Sequence, residues 1–536
     1  MRVYILIIGL LFTFNFLSAQ EDRPAEQVEV IKNFEARLTD AEKINLSPKL
    51  VKMDTSAKDY RYDVNASSLE LDYEAPTIRP IAMRPDAKPD AYNGFAMLGY
   101  GTPRSPIAQL AYNFNNPGWY NIGINLNHHS ADNSKKLDNQ KFAETGVKLD
   151  GSMVLENGMT AGGFVAYNRD DYYLYGYDHE DTSFTRAEAL QRFNLIELGA
   201  NIASGADSDI LYDADINIYD LKDNYATKET GILLNGGLKT FINYNHALAL
   251  DLSADLSTLK DTSSRSLNNL SAIPSFTFNN PNYQVKIGAN LTSSQKDFTI
   301  FPAINISTKV IGSTLIAYVG ADGGLSKNNF RNLSDYNPYI TSRLDSITNT
   351  KHTSYYGGVK GALKGVNYQG QVTYKSFDGL ALHVPDVNDT RRFQAMFDGG
   401  SLIQLKASAS FSPIKQLDIS ANLSKNFYNM DREERAWSLP SFETNVNAKY
   451  RTLKDKLHIS ANLYLENGVP VMDFDSASGR RTLGPLLDLS IAADYFLTKN
   501  IGAFVHANNL ANNKRMRWDG YASFGLNLKG GILARF

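Results

Sequence analysis

The sequence predicts an all-β chain: a transmembrane antiparallel β-barrel of about 22 strands, behind a short irregular N-terminal segment. Three observations carry this. Many segments alternate apolar and polar residues with period two, the joins between them alternate short and long, and the chain stops on an aromatic residue inside an alternating run. In "YASFGLNLKGGILARF" (Tyr521 to Phe536), Phe524, Leu526, Leu528, Ile532 and Phe536 fall on one side, while Asn527, Lys529 and Arg535 fall on the other. Successive side chains of a strand point to opposite faces, so this strand has one greasy and one mostly wet face.

The bulk composition excludes several classes. A net charge of −3 over 536 residues gives no global field for nucleic acid. With 21% charged residues, and no stretch after residue 19 near the roughly 20 apolar residues of a spanning helix, the chain is not a bundle of membrane helices. Cysteine is absent, which removes disulfides, thiolate metal sites, a cysteine nucleophile and lipidation of an N-terminal cysteine.

Residues 1–19 read as a signal peptide: Arg2, an apolar core from about Val3 to Leu17, then the small residues Ser18 and Ala19. Residues 20–91 are charged and lack sustained alternation, and they form a periplasmic or lumen-filling segment. Within it Pro76, Pro80, Pro85 and Pro89 make a stretched tether, because proline fixes φ and biases its predecessor towards extended geometry. "VEVIKNFEARLTDAEKIN" fits a helix face or a strand, and stays undecided.

From Tyr92 to Phe536 the chain reads as the barrel. "LALDLSADLS" sets Leu248, Leu250, Leu252 and Leu256 against Asp251, Ser253 and Asp255. "LDISANLS", "LHISANLYL" and "LDLSIAADY" repeat the pattern, with Asp418, Asp488 and Asp494 on their polar sides. A soluble sandwich alternates too, so join length decides. Short joins at 155–159, 204–209, 279–283, 310–314, 363–367, 412–416, 451–456 and 496–501 separate long ones at about 130–141, 169–190, 258–268, 321–353, 376–400, 425–440 and 466–485. Barrel hairpins all point the same way, giving short periplasmic turns and long outer loops. Strand starts run from about 92 to 521, and the even count sets both barrel ends on the periplasmic side. Phe536 then lies at the inner interface, on a greasy face covered by lipid.

At this point the chain resembles the TonB-dependent-receptor-like outer-membrane barrels. The carriers are the signal peptide, the strand count, the long loops, the ending "FGLNLKGGILARF", and "AFVHANNLANNKRMRWDGY" (Ala503 to Tyr521), which is similar to that family's penultimate hairpin. The resemblance implies an outer-membrane location in a Gram-negative bacterium. The family's transporters carry an N-terminal plug of well over a hundred residues behind a TonB box. Here about 70 mature residues precede the first strand, which suggests a plugless variant, and "EQVEVIKNF" (Glu26 to Phe34) is only loosely box-like. An empty barrel of this size would leak, so the segment Val30 to Pro48, infolded loops or a partner should fill it.

Chemistry-bearing motifs are weak. "NRDDYYLYGYDHED" interleaves Asp170, Asp171, Asp178, Glu180 and Asp181 with Tyr172, Tyr173, Tyr175 and Tyr177. It suits Ca²⁺ or stacked ligands, but lacks an EF-hand spacing and reads as an interface girdle leading into a solvated loop. His128 and His129 are adjacent, so on a strand they point apart and do not chelate together. "GADGGLSKNN" (Gly320 to Asn329) lacks the G-K-[ST] of a phosphate loop and reads as an ordinary loop. No serine elbow or zinc-binding H-E-x-x-H occurs. Asp251, Asp255, Asp418, Asp488, Asp494 and Lys529 could tune solute selectivity, but their first job is to hydrate the interior or bond its filler. No catalytic, cofactor or metal residue is nominated, and the ligand-binding residues are unknown. The expected function is passage of a hydrophilic solute through a gated lumen, not an enzyme. The alternative is a non-transporting barrel subunit of an assembly, secretion or surface-protein complex, with outer-membrane lipid around it and a protein partner on residues 20–91.

Overall fold

The computed structural model describes residues 92–536 apart from 244, 296 and 475. The signal peptide, the 20–91 segment, its proline tether and the box-like stretch lie outside the described residues.

Alternation becomes structure directly. Twenty-two strands form one sheet in which each pairs antiparallel with the next. The first, Gly94–Gly101, pairs with the last, Asn527–Arg535, in a register running from Phe95 opposite Arg535 to Gly101 opposite Lys529. Closure leaves no sheet edge, which a hydrocarbon environment requires because an unpaired backbone group there costs several kcal/mol. Among the described residues no helix is long and apolar enough to cross a membrane. The strands do the crossing.

The outside of the cylinder carries an apolar band. On Val366–Pro385, Val372 and Tyr374 are 54% and 47% exposed outward, while Gln371, Thr373 and Lys375 face the interior. On the closing strand Leu528 and Ile532 are outward and exposed, and Lys529 lies inside against His129. Exposed aromatics gather in two belts. Trp119, Tyr120, Phe241, Tyr283, Tyr450 and Phe536 stand at the end carrying the short turns and both barrel termini. Tyr100, Phe298, Tyr355, Tyr374 and Phe427 stand towards the loop end. Leu417 is paired with Tyr450, and ten residues on along the same strand lies Phe427. At about 3.3 Å per residue and a tilt near 40°, that is about 25 Å of height, the thickness of the apolar band of such barrels.

Several sequence expectations need correction. Strict alternation of join length fails at the loop end. The connection at 261–263 is a three-residue turn between His246–Lys260 and Ser264–Asn279, and 224–227 has only four residues. Polar residues there are strand residues that rise past the apolar band. The same cause moves the strand starts expected near 354 and 402 back to Thr348 and Phe393. "GADGGLSKNN" is not a loop but most of the strand Leu315–Asn328. Its glycines make room for neighbours: a Cβ on Gly320 would stand 2.4 Å from the Tyr356 ring, and one on Gly323 2.7 Å from that of Phe301. At the C-terminus the wall strand begins at Asn527 rather than Tyr521. Tyr521–Ala522 pairs instead with Met516–Trp518 in a separate small hairpin.

Candidate functional site: a polar lumen wall and a latched loop cap

Lumen-facing positions of the strands between His246 and Ile414 line a cavity of about 780 Å³. Its wall is built of amides, hydroxyls and charges. The side chains bond one another along the wall: Gln369 donates to the Tyr318 hydroxyl (2.8 Å), that hydroxyl donates to Gln371 (3.0 Å), and Gln371 donates to Thr373 (2.9 Å). On the far side Ser271 donates to Asn290 (2.7 Å), which donates to the Gly323 carbonyl (2.9 Å). Such ladders keep the polar groups satisfied without filling the space.

Part of the lumen is occupied by the connection 329–347, which folds onto the wall. A short helix, Phe330–Tyr336, begins it with Asn329 as its N-cap. Glu229, fully buried on the wall strand Lys228–Ile242, receives the helix start. Its carboxylate accepts from the Tyr219 hydroxyl (2.8 Å), Asn329 Nδ2 (2.8 Å), the Phe330 N–H (2.8 Å) and the Arg331 N–H (3.4 Å). A carboxylate suits the first turn of a helix because its N–H groups are unpaired there. Arg331 reaches Glu197 (2.6 Å), and Lys327 donates to the Asp255 carbonyl (2.9 Å) and carboxylate. Phe330, Leu333, Ile340 and Leu344 pack with Phe193, Tyr219, Leu221 and Leu259 of the wall.

Above this connection, four loops meet over the mouth. Tyr339 stacks on Tyr521 at 3.5 Å between centroids, and Tyr175 meets Tyr521 edge-on at 4.9 Å. Tyr175 also donates to the Ala522 carbonyl (3.0 Å), and Tyr521 to that of Arg391. Burial raises the Tyr521 hydroxyl well above the ordinary tyrosine range, so it stays a donor. The hairpin 380–398 rises past the wall pairing, which stops at Asp378 towards Thr348–Leu363 and at Gly400 towards Leu417–Met430, and it rests on the connection 329–347 and the loop 431–441. It carries His383 against Trp518 (5.1 Å) and Tyr336 (5.2 Å). Burial, helped by Arg517, pushes this imidazole down to about 3. Glu466, fully buried, holds Arg515 (3.4 Å) and Arg517 (3.1 Å) and ties the loop 509–526 to the wall.

The residues singled out in the sequence scatter. Tyr175 is core of the cap rather than girdle, whereas Asp171 is held by Arg169 and Arg192, and Tyr172 donates to Glu144 (2.8 Å). Among the described residues no group of acidic or histidine side chains could hold a metal ion. His128 bonds Thr145 (2.8 Å) while His129 meets Lys529, on opposite faces as expected. Asp255 bonds Lys327 of the wall strand Leu315–Asn328, just before the connection 329–347. Asp418, Asp488 and Asp494 bond the wall residues Ser412, Ser490 and His506. Sequence reasoning missed Glu229 and Glu466, each a lone carboxylate near the end of an alternating run, a pattern that could have flagged a wall residue meeting a loop.

No protein-family model and no curated protein matches the sequence. Solved structures do. The ferripyoverdine receptor of the outer membrane of Pseudomonas aeruginosa superposes with a TM-score of 0.60 at 12% identity, over 84% of this chain and 72% of that one. The FrpB iron transporter of Neisseria meningitidis gives 0.65 at 8% identity, over 84% and 82%. The chain has the fold of these outer-membrane receptors. The ferric enterobactin receptor of Pseudomonas aeruginosa, at 0.63 and 12% over 83% and 81%, shares the same receptor-type barrel. These neighbours are receptors and an iron transporter.

Proposed function

We propose that this receptor-type barrel sits in the outer membrane of a Gram-negative bacterium and admits a hydrophilic solute through a lumen gated by its own loops. Residues 20–91 offer a docking segment for a protein partner. The observation that carries the reading is the latch: the connection 329–347 starts on the buried carboxylate of Glu229, beside a polar wall that leaves part of the lumen unfilled. A gate needs a closed state held by removable contacts, and that carboxylate anchors the helix start.

The test is conductance of the purified full chain in planar bilayers. The unmodified protein should open rarely, and Glu229→Ala, which frees the helix start, should raise the open fraction at least tenfold. A latch-broken barrel that stays silent, with a protein co-purifying in mild detergent, would replace passage by the scaffold role that the four-loop closure of the mouth also suits.

A further inference from the structure

The cavity wall is not electrically uniform. Lys360, Lys375 and Lys406 line it from three adjacent strands, Thr348–Leu363, Val366–Pro385 and Phe393–Ile414. Lys360 lies directly opposite Gln369, and Lys406 opposite Gln371, so both are cross-strand neighbours about 5 Å from the amide ladder at Cα. Lys375 follows four residues along the same strand. None of the three makes an ion pair among the described residues. The cavity's carboxylates do not balance them: Asp255 is engaged by Lys327, which leaves Asp322, across Ser354 from Lys375, against three lysines. Asp213 and Asp251 line a separate, smaller cavity of about 180 Å³ that adjoins at Ser253 and Ser271. Cations are therefore in excess on this arc of the wall.

Three lysines on adjacent strands do not help a wall hold together, since like charges on neighbouring strands repel. Their neighbours are the donors and acceptors that match sugar hydroxyls, and Tyr318 and Tyr356 add aromatic faces. A volume of about 780 Å³ falls within the usual range for a bound organic molecule. We infer that this arc of the lumen is a binding site for a polyhydroxylated anion, a carbohydrate carrying phosphate or sulfate, with the three lysines on the anionic group and the amide ladder on the hydroxyls. The inference rests on the lumen being a solute route and names the class of solute.

The probe is trehalose 6-phosphate, with trehalose as its uncharged twin, titrated calorimetrically into the detergent-solubilised full chain. The phosphorylated sugar should bind at least tenfold tighter. The triple variant Lys360→Gln, Lys375→Gln, Lys406→Gln should lose that difference, and the triple arginine variant should keep most of it. Folding of each variant is checked by heat-dependent mobility on gels, and should the triple variant not fold, each single glutamine variant should weaken the phosphorylated sugar several-fold. Equal affinity for the two sugars, no binding of either, or binding indifferent to the lysines overturns the site. Because no conductance is involved, binding without channels would remove passage and leave the site, and channels without binding would do the reverse.

Discussion

Gly94 and Phe536 exchange both backbone hydrogen bonds at the foot of the closing seam, Gly94 N–H to Phe536 O at 2.7 Å and Phe536 N–H to Gly94 O at 3.0 Å. The Phe536 ring stacks on Tyr112 at 5.7 Å and lies across Gly94, where a Cβ would stand 2.3 Å from it. Phe536→Ala should keep the backbone bonds and lose the stack, about 0.5–1.5 kcal/mol. Gly94→Val should cost more than Phe536→Ala, because the added carbon must displace the ring and the seam with it. Urea midpoints of the folded, fast-migrating form in lipid vesicles rank the two. Equal midpoints would mean that the ring is not seated on Gly94.

A second expectation concerns Glu466, buried between Arg515 and Arg517. Removing one partner of a buried ion group leaves uncompensated charge, typically about 3–5 kcal/mol. Glu466→Ala should therefore release the loops 468–485 and 509–526 while the wall, held by its ladders, stays closed. Limited proteolysis should cut those loops at least tenfold faster, with the heat-modified mobility of the barrel unchanged.

The cap should also loosen in acid. His383 titrates near 3 in the folded protein, below its ordinary value of 6.5, because burial among Trp518 and Tyr336 disfavours the imidazolium. The unfolded hairpin binds a proton below about 6.5 and the folded one does not. Its contribution is thus fully present above that pH and is lost as pH falls towards 3, about 1.4 kcal/mol for each pH unit. Protection factors against amide exchange in the hairpin 380–398 should fall from pH 6.5 to 4.5, and His383→Gln should flatten that dependence. A profile unchanged in the variant would assign the acid effect to other groups.

These contrasts explain what was legible in the sequence. Leu528, Lys529 and Ile532 could be sorted to their faces because lipid on one side and water on the other imposes period two on every strand. The cap obeys no period. Tyr175 finds Ala522 across 347 residues of chain, and Glu229 finds Phe330 across 101, so nothing local to either residue encodes the meeting. Lys375 is an intermediate case. It continues the parity of Gln371 and Thr373, and would have emerged had the alternating run been followed past Tyr374. The expected boundaries failed where strands outgrow the apolar band, at Thr348 and Phe393, since above the lipid a strand's two faces are both wet and the alternation fades.

Leu405 and Lys406 give the most direct test of the membrane itself. They are adjacent on Phe393–Ile414, Leu405 facing outward and Lys406 lining the cavity. A lysine on the lipid face near mid-membrane costs about 2–4 kcal/mol, whereas in a hydrated lumen it costs little. Leu405→Lys should lower folding stability in vesicles by about that amount, while Lys406→Leu should leave it nearly unchanged. In a soluble barrel of identical shape both faces of the wall would meet water on at least one side, and Leu405→Lys would be neutral or helpful. The sign of that single substitution therefore separates a lipid-wetted exterior from a water-wetted one, and it does so without reference to any solute, gate or partner.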